Sequence, residues 1–571
     1  LDFLFIAPER LKVPGFPEML AKRKPTLIAI DEAHCISQWG HDFRPDYRML
    51  GDRLPLLRPA PVIALTATAT PEVQDDIVNE LRLDSPLRSI HGFRRTNIAV
   101  EAVERMPRER LDLVKAILSN PAHRPAIIYA PTRKETEATA KALGSRLHAA
   151  AYHAGLTAAV RSNVQTAFLR SKLDVIVATT AFGMGIDKAN VRTVIHTALP
   201  ASVEGYYQEI GRAGRDGEPS RAVLLHSFGD TKTHEFFLDR DYPDSAILQA
   251  IHDAVVRHPG IEMSDLPKKS RVVPEVFEKA IEKLWVHGGV TIDVDETVRP
   301  GASDWKMPYQ AQRAHKQEQI AKMRRYAETS SCRMLELVAH FGDQNDPGTP
   351  CGNCDICAAD ACIAQQFRAP TPSEANGAKK IFAALKERNG RAVGQMHREM
   401  FADGSLDRDA FEAVMGAMTR AGILRIAGDE FVKDGKTILF QRATLRTDMS
   451  LDTALLRVVV SPKTSRTRKS RGAKDIKAPR GPRMSDEIVE GPKLEGDSLV
   501  CDAALRAWRK EESRFRKVPA FRILTDKTLI QLAHDKPRSE ESLLRISGIG
   551  PSILEKYGKT LLGIVARTTR A

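Results

Sequence analysis

One segment constrains the fold more than any other: Leu27-Ile28-Ala29-Ile30-Asp31-Glu32-Ala33-His34, an unbroken apolar run that stops on two carboxylates. An apolar run without alternation reads as a strand buried on both faces, which a parallel sheet covered by helices supplies. Further runs of this kind follow at 62–65, 126–129, 174–178 and 193–196, separated by amphipathic stretches of helical period. The spacing predicts α/β sheets over residues 1–228. Polar residues collect beyond the C-terminal ends of the strands, where open α/β sheets hold their ligands.

Composition narrows the classes. At 571 residues the chain is long enough for several domains. Its 42% hydrophobic share is ordinary for a globular protein. No run approaches the ~18 apolar residues of a membrane span. The opening Leu1-Asp2-Phe3-Leu4-Phe5 has no basic stretch before it and no small-residue cleavage site after it, which argues against a signal peptide. It does not start with Met, so the expectation is a chain that begins inside a longer protein. The formal net charge of +13 attracts polyanions, nucleic acid first; a surface with surplus Lys and Arg gives the same number. Seven cysteines are present, three of them within seven residues. An odd, clustered count without an export signal points to a metal site in a reducing compartment, not to a disulfide framework.

The chemistry-bearing residues follow the strands. Asp31 and Glu32 form the Walker B arrangement: one carboxylate to hold Mg²⁺ through water, the next to orient or deprotonate an attacking water. The plainer reading is a surface Asp-Glu pair at a strand end. Thr66-Ala67-Thr68 ends the next strand with hydroxyls able to bond to the first site. Gln208-Glu209-Ile210-Gly211-Arg212-Ala213-Gly214-Arg215-Asp216 sets Arg212 and Arg215 at i and i+3, on one face of an expected helix. Such a pair facing a γ-phosphate would stabilise the charge of phosphoryl transfer; the plainer reading is a solvated helix face.

At these residues the chain resembles superfamily-two helicases, and the RecQ helicases in particular. The specific match is Asp31-Glu32-Ala33-His34-Cys35-Ile36-Ser37-Gln38-Trp39-Gly40-His41-Asp42-Phe43-Arg44-Pro45-Asp46-Tyr47. The resemblance implies that this aromatic-rich loop senses single-stranded DNA and couples it to ATP hydrolysis. Trp39 and Phe43 would offer stacking faces, and His41 and Arg44 would reach phosphate or a neighbouring motif. It further implies a catalytic set of Asp31, Glu32, His34, Gln208, Arg212 and Arg215. Ala7-Pro8-Glu9-Arg10-Leu11, Tyr152-His153-Ala154-Gly155-Leu156 and the run 178–188 match other motifs of the family. From the last, Thr179 would touch DNA, and Gly185 and Asp187 would lie near ATP. The phosphate loop Gly-x-x-x-x-Gly-Lys-Ser/Thr is not found before Asp31. Gly435-Lys436-Thr437 and Gly558-Lys559-Thr560 lack its first glycine. The expectation is an incomplete first lobe with exposed apolar edges, inactive as written.

Cys351-Gly352-Asn353-Cys354-Asp355-Ile356-Cys357 packs three thiols at two-residue gaps, with Cys332 upstream on an expected helix. Four thiolates suit tetrahedral Zn²⁺ in a closed structural site. An iron–sulfur cluster would use the same donors, and Cys362 is a substitute ligand or a bystander. RecQ helicases carry a zinc module of this form after a helical hairpin. The residues from about 499 onward resemble the HRDC domain, through Leu505-Arg506-Ala507-Trp508-Arg509, Val518-Pro519-Ala520-Phe521, Asp526-Lys527-Thr528-Leu529 and Ile546-Ser547-Gly548-Ile549-Gly550-Pro551. Arg506, Arg509, Arg514, Arg516 and Lys517 would form a backbone-binding patch or only solvate a helix. Residues 461–498 are rich in Lys, Arg, Pro, Gly and Ser, without aromatics, and read as a basic linker.

The expected fold class is multidomain α/β plus α. It divides into a partial RecA-like lobe (1–92), a second RecA-like lobe (93–229), a winged-helix-like insert (230–309), a helical hairpin with a four-cysteine zinc module (310–365), a winged-helix-like domain (366–450), a basic linker (451–498) and an all-α HRDC domain (499–571). The reading is an ATP-dependent 3′–5′ DNA helicase using ATP, Mg²⁺ and Zn²⁺, acting on single-stranded, branched or partly duplex DNA in recombination and repair. Single-stranded-DNA-binding protein and recombination proteins are the expected partners, in a bacterial cytoplasm at the nucleoid. Competing readings are a non-catalytic DNA-binding scaffold and an RNA helicase.

Overall fold

The computed structural model describes residues 2–13, 15–40, 44, 47, 49–183, 186–293, 296–329, 331–433, 436–446, 450–460, 494–516, 520, 523–546 and 548–568; for 275, 427–433, 436–441, 516, 551, 552 and 555 it describes the backbone alone. These residues belong to two units, one of 1–291 and 298–459, the other of 292–297 and 460–571.

The larger unit is organised by two parallel sheets. In the first, β1 (Ile28–Ile30) pairs with β2 (Val62–Ala64), Ile28 opposite Val62. Its core is small: Leu11, Ile30, Ile36, Leu54, Val73, Ile77 and Leu81 gather between β1 and the Pro71–Glu80 helix. Phe3, Phe5, Ile63 and Leu65 stay exposed.

The second sheet has β3 (Ile98–Glu104), β4 (Ala126–Tyr129), β5 (Ala149–Tyr152), β6 (Val175–Ala178), β7 (Thr193–His196) and β8 (Ser220–His226), in the order β3-β8-β7-β4-β6-β5, all parallel. Every residue of β4, β6 and β7 is buried, which is why those runs are almost wholly apolar. One face packs on the Pro107–Ser119 and Arg133–Leu143 helices through Val114, Ile117, Leu118, Ala140 and Leu143. The other face shares one core with the Val203–Ile210 helix and with Met323, Leu337 and Phe341 of the later hairpin. Each such buried side chain contributes roughly 1.5–3 kcal/mol.

The hairpin helices run Lys306–Ala327 and Arg333–Phe341. Cys332 is not on the second helix, as expected from sequence, but caps its N-terminus with extended ψ. Met334, Leu337, Val338 and Phe341 form its buried face, while Leu335 is only half-buried.

Two segments share one chain order, helix–strand–helix–helix–strand–strand, which is that of a winged helix. One runs through Ser245–Arg257, Ile261–Glu262, Leu266–Ser270, Pro274–Val286, Val290–Ile292 and Thr297–Pro300. The other runs through Pro372–Glu387, Arg391–Ala392, Val393–Met400, Arg408–Arg420, Leu424–Lys433 and Lys436–Leu445. In each, the last strand sits in the middle of its sheet. Pro274 and Pro372 open their helices in the first turn, where a missing N–H breaks no bond.

The second unit is helical: Asp497–Arg516, Asp526–Asp535, Glu540–Leu544 and Pro551–Thr568 close around Cys501, Leu505, Leu529, Leu532, Leu543 and Leu561. The basic linker lies outside the described residues between 461 and 493. Among the described residues no helix is long and apolar enough to cross a membrane.

Candidate nucleotide pocket, aromatic turn and metal centre

β1 delivers its carboxylates through a sharp turn. Glu32 adopts a left-handed conformation (φ +49°), a strained geometry for a side-chain-bearing residue that costs on the order of 1–3 kcal/mol. The turn aims Glu32 into a cavity of about 600 Å³. Asp31 stays exposed, accepting a hydrogen bond from the Glu32 amide (2.8 Å), and does not line the cavity. Behind Glu32 the buried His34 ring meets the Glu32 carboxylate (3.3 Å) and the Thr66 hydroxyl (3.0 Å). His34 thus orients Glu32 and ties β1 to the residues after β2, without reaching the cavity.

The opposite wall comes from the second lobe. Gly183, Ile186, Asp187, Tyr207, Gln208, Gly211, Arg212 and Arg215 face Glu32, Thr66 and Ala67 across the same space. The expected helix bearing both arginines stops short: Val203–Ile210 ends at Gly211, and Arg212 and Arg215 lie in the turns beyond it. The reason is local. Gly214 turns the chain left-handed (φ +55°), where a Cβ would stand 2.5 Å from the Asn97 side chain. The Arg95 guanidinium then caps the freed carbonyls of Gly211, Ala213 and Gly214. Arg212 is consequently buried against the cavity, while Arg215 sits at its rim. There it donates to Asp187 (2.9 Å) and to the Ile186 carbonyl (3.1 Å).

Sequence reasoning missed the floor of the cavity, made by His91, Gly92, Phe93 and Arg95 between the lobes. Phe93 stacks on Phe341 (4.7 Å between rings), and its carbonyl accepts from the Tyr207 hydroxyl (2.7 Å). Burial pushes that hydroxyl up to about 12, so it remains a donor. Arg94 grips Asp346 with two short bonds (2.6 and 2.7 Å), anchoring this crossover to the segment after the hairpin. The crossover has no periodicity, and only its aromatic and basic character could have drawn attention.

The residues expected at DNA lie elsewhere. Trp39 is half-buried, its ring edge-on to His315 of the Lys306–Ala327 helix. The Arg44 amide closes the loop onto the Cys35 carbonyl (2.9 Å). Thr179 follows the C-terminal end of β6, its amide bonded to the Tyr152 carbonyl. None of the three lines the cavity. His41, Phe43 and Gly185 lie outside the described residues.

Cys332, Cys351, Cys354 and Cys357 bring their sulfur atoms within 4.8 Å of one another. Tetrahedral Zn–S bonds of about 2.3 Å require sulfurs roughly 3.8 Å apart, so the four thiols fit one ion. The Cys351 amide points at the Cys332 sulfur (3.2 Å). Cys362 stands apart from the cluster, its thiol turned to the Ala358 carbonyl and its pKa raised by burial. The module is riveted to the edge strand β3. Asp355 pairs with Arg333 (2.6 Å), accepts from the Ala102 amide (3.0 Å), and gives its own amide to the Val100 carbonyl (3.0 Å). Burial works against the Arg333 charge, but the Asp355 carboxylate outweighs it and raises its pKa. Beyond the cysteines, the buried Glu101 accepts from the Ile363 and Ala364 amides and from Arg221.

In the helical unit, one member of the expected basic patch turns inward. Arg509 is buried and bonded to Asp526 (2.7 Å) and to the Leu524 carbonyl (2.8 Å). Arg506 pairs with Asp502 and Asp526. Arg514 is exposed, and the Arg516 side chain and Lys517 lie outside the described residues.

Four family models match the chain: DEAD/DEAH box helicase over residues 1–77, helicase conserved C-terminal domain over 109–217, RecQ zinc-binding over 297–358, and HRDC domain over 498–565. The zinc-binding model contains all four clustered cysteines. The chain is similar to the ATP-dependent DNA helicase RecQ of Haemophilus influenzae, 30% identical over 99% of this chain and 79% of that protein. The RecQ helicase of Bacillus subtilis is also 30% identical, over 98% and 79%. The mouse bifunctional 3′–5′ exonuclease/ATP-dependent helicase WRN is 47% identical over 36% of this chain and 15% of its own length.

Proposed function

This chain belongs to the RecQ family of ATP-dependent DNA helicases, and from that premise we propose that the cavity around Glu32, Arg212 and Arg215 is its ATP site and that Trp39 and Arg44 meet the DNA strand on which the motor runs. The observation that carries the proposal is the composition of the cavity: a carboxylate from one lobe opposes guanidinium groups from the other across a space of nucleotide size.

In this reading Glu32 orients the attacking water and takes its proton, and His34 holds Glu32 in place. Gln208 contacts the γ-phosphate region. Arg212 faces the transferred phosphoryl group from the buried wall, and Arg215 joins it after leaving Asp187. Asp187 borders the nucleotide, and the family resemblance gives Gly185 the same role. Asp31 fits a water-mediated hold on Mg²⁺, whose chemistry would be to neutralise phosphate charge. Closure of the lobes on ATP and reopening after hydrolysis would move the strand past Trp39, His41, Phe43, Arg44 and Thr179, in the 3′ to 5′ direction. Zn²⁺ on the four cysteines is structural, since a closed thiolate set leaves no open position. The division into two lobes, two winged-helix-like units, a zinc module and an HRDC domain is proposed with the boundaries expected from sequence. Branched DNA of recombination and repair is the proposed substrate, with single-stranded-DNA-binding and recombination proteins as partners at the nucleoid. Neither the scaffold nor the RNA-helicase reading is favoured.

The test is Glu32→Gln in the full-length protein. Nucleotide binding should persist while DNA-stimulated ATP turnover falls by about 10²-fold or more, the size of a lost general base. Turnover within a few-fold of the parent would sink the assignment.

A further inference from the structure

We propose that His315 and Lys316 are positioning residues that latch the Trp39–Gly40 turn and hold ATP turnover low until DNA binds. The inference rests on the reading of Trp39 as a DNA contact.

The turn is built directly onto the hydrolytic residues. The Trp39 amide bonds to the Ser37 hydroxyl (3.1 Å) and the Gly40 amide to the Ser37 carbonyl (3.0 Å). Gly40 then packs on the backbone of His34, where a Cβ would stand 2.4 Å from the His34 carbonyl oxygen. Only glycine allows that approach. His34 in turn touches Glu32 and Thr66. A displacement at Gly40 therefore has a short, packed route to the carboxylate in the cavity.

Two consecutive side chains of one helix catch the two consecutive carbonyls of this turn. His315 Nε2 donates to the Trp39 carbonyl (2.7 Å), and Lys316 Nζ donates to the Gly40 carbonyl (3.1 Å). Gln319, one turn on, accepts from the same ammonium (3.1 Å) and aims it. The helix is itself fixed, because Gln319, Ile320, Met323 and Tyr326 are buried. The His315 ring also meets the Trp39 indole edge-on, with centroids 5.3 Å apart.

A base stacking on Trp39 needs ring surface and freedom that this contact restricts. The latch and the DNA strand then compete for one side chain, so DNA binding favours the released turn and release favours DNA binding by the same factor. In the sequence His315 and Lys316 are simply polar positions on an amphipathic helix.

The experiment compares His315→Ala, Lys316→Ala and His315→Gln with the parent in the full-length protein, using an oligo-dT strand as the DNA. His315→Ala should raise DNA-free ATP turnover by roughly three- to tenfold, the effect of freeing one ordinary hydrogen bond and its ring contact, and tighten oligo-dT binding by a similar factor. DNA-saturated turnover should not change. Lys316→Ala should act in the same direction. His315→Gln keeps a donor to the Trp39 carbonyl and should restore much of the parental ratio. DNA-free turnover unmoved in His315→Ala, or lowered in step with the DNA-saturated rate, would overturn the latch. Trp39→Ala separates the two claims. Normal DNA stimulation in that variant removes the DNA reading and the latch together, whereas lost stimulation beside an unmoved His315→Ala removes the latch alone.

Discussion

Asp355→Ala cuts the attachment between the zinc module and the second lobe at a deeply buried point. The carboxylate and its partner Arg333 are only 2% and 4% exposed. Removing one member of such a pair leaves the other charge buried without compensation, at about 3–5 kcal/mol. Arg333 keeps its bonds to the Tyr326 and Ala327 carbonyls, which hold it inside and prevent escape to water. The Ala102 amide loses its acceptor, worth about 1 kcal/mol more. These terms overlap, so the expected loss is about 4 kcal/mol. The readout is hydrogen exchange under urea along β3 and the Arg333–Phe341 helix, with bound zinc measured in parallel. Asp355→Asn keeps an acceptor but no charge and should fall between. Arg333→Met with Asp355→Leu removes both charges and should recover part of the loss. A loss below about 1 kcal/mol in Asp355→Ala, with zinc retained, would refute the reasoning.

Three further outcomes are expected. The purified protein should hold one zinc per chain on Cys332, Cys351, Cys354 and Cys357; chelation should loosen β3 and the hairpin in hydrogen exchange, and Cys354→Ser should do the same, while Cys362→Ser should leave the metal content unchanged. The Arg368 fork outweighs burial and, with the Thr371 amide, holds Glu374 down to about 2 from 4.5. The unfolded chain therefore takes up that proton first as pH falls, so the pair's contribution is intact above 4.5 and fades toward 2. With Arg368 two-fifths exposed, it amounts to at most about 2 kcal/mol. The gap between parent and Glu374→Gln in exchange along Pro372–Glu387 should shrink from about pH 6 to about pH 3, and a constant gap would contradict the pairing. Arg509→Ala should destabilise the helical unit by about 1–3 kcal/mol, because the Leu524 carbonyl loses this donor and Asp526 keeps only Arg506; a variant that weakens DNA binding with no change in unfolding would reverse the assignment.

Burial on both faces made the central strands legible. β4, β6 and β7 are short, largely apolar runs, and their limits in sequence and structure differ by at most a residue. β3 and β8 are hard to read in the sequence because each carries a charge, Glu101 and Arg221, satisfied only by residues distant in sequence. β5 is faint in the sequence because Ala149-Ala150-Ala151 is a weak apolar signal on an edge strand. Spacing announced three of the clustered cysteines, and the resemblance to the RecQ zinc module supported Cys332 as the fourth. The arginines of the cavity were legible as residue types but not as geometry: a helical i, i+3 pair was expected, and the Arg95 clamp on three carbonyls decides otherwise. In the helical unit, charge count suggested a surface patch where Arg509 turns inward, because local sequence does not reveal that Asp526 waits across the core.

The account stands on one nucleotide enclosed by both lobes. A crystal structure of the full-length protein with a non-hydrolysable ATP analogue and Mg²⁺ tests this directly. The γ-phosphate should lie between Glu32 and Arg212, with Arg215 released from Asp187 and bonded to phosphate oxygen. A nucleotide bound with both guanidinium groups turned away, and the Arg215–Asp187 pair still closed, would contradict it.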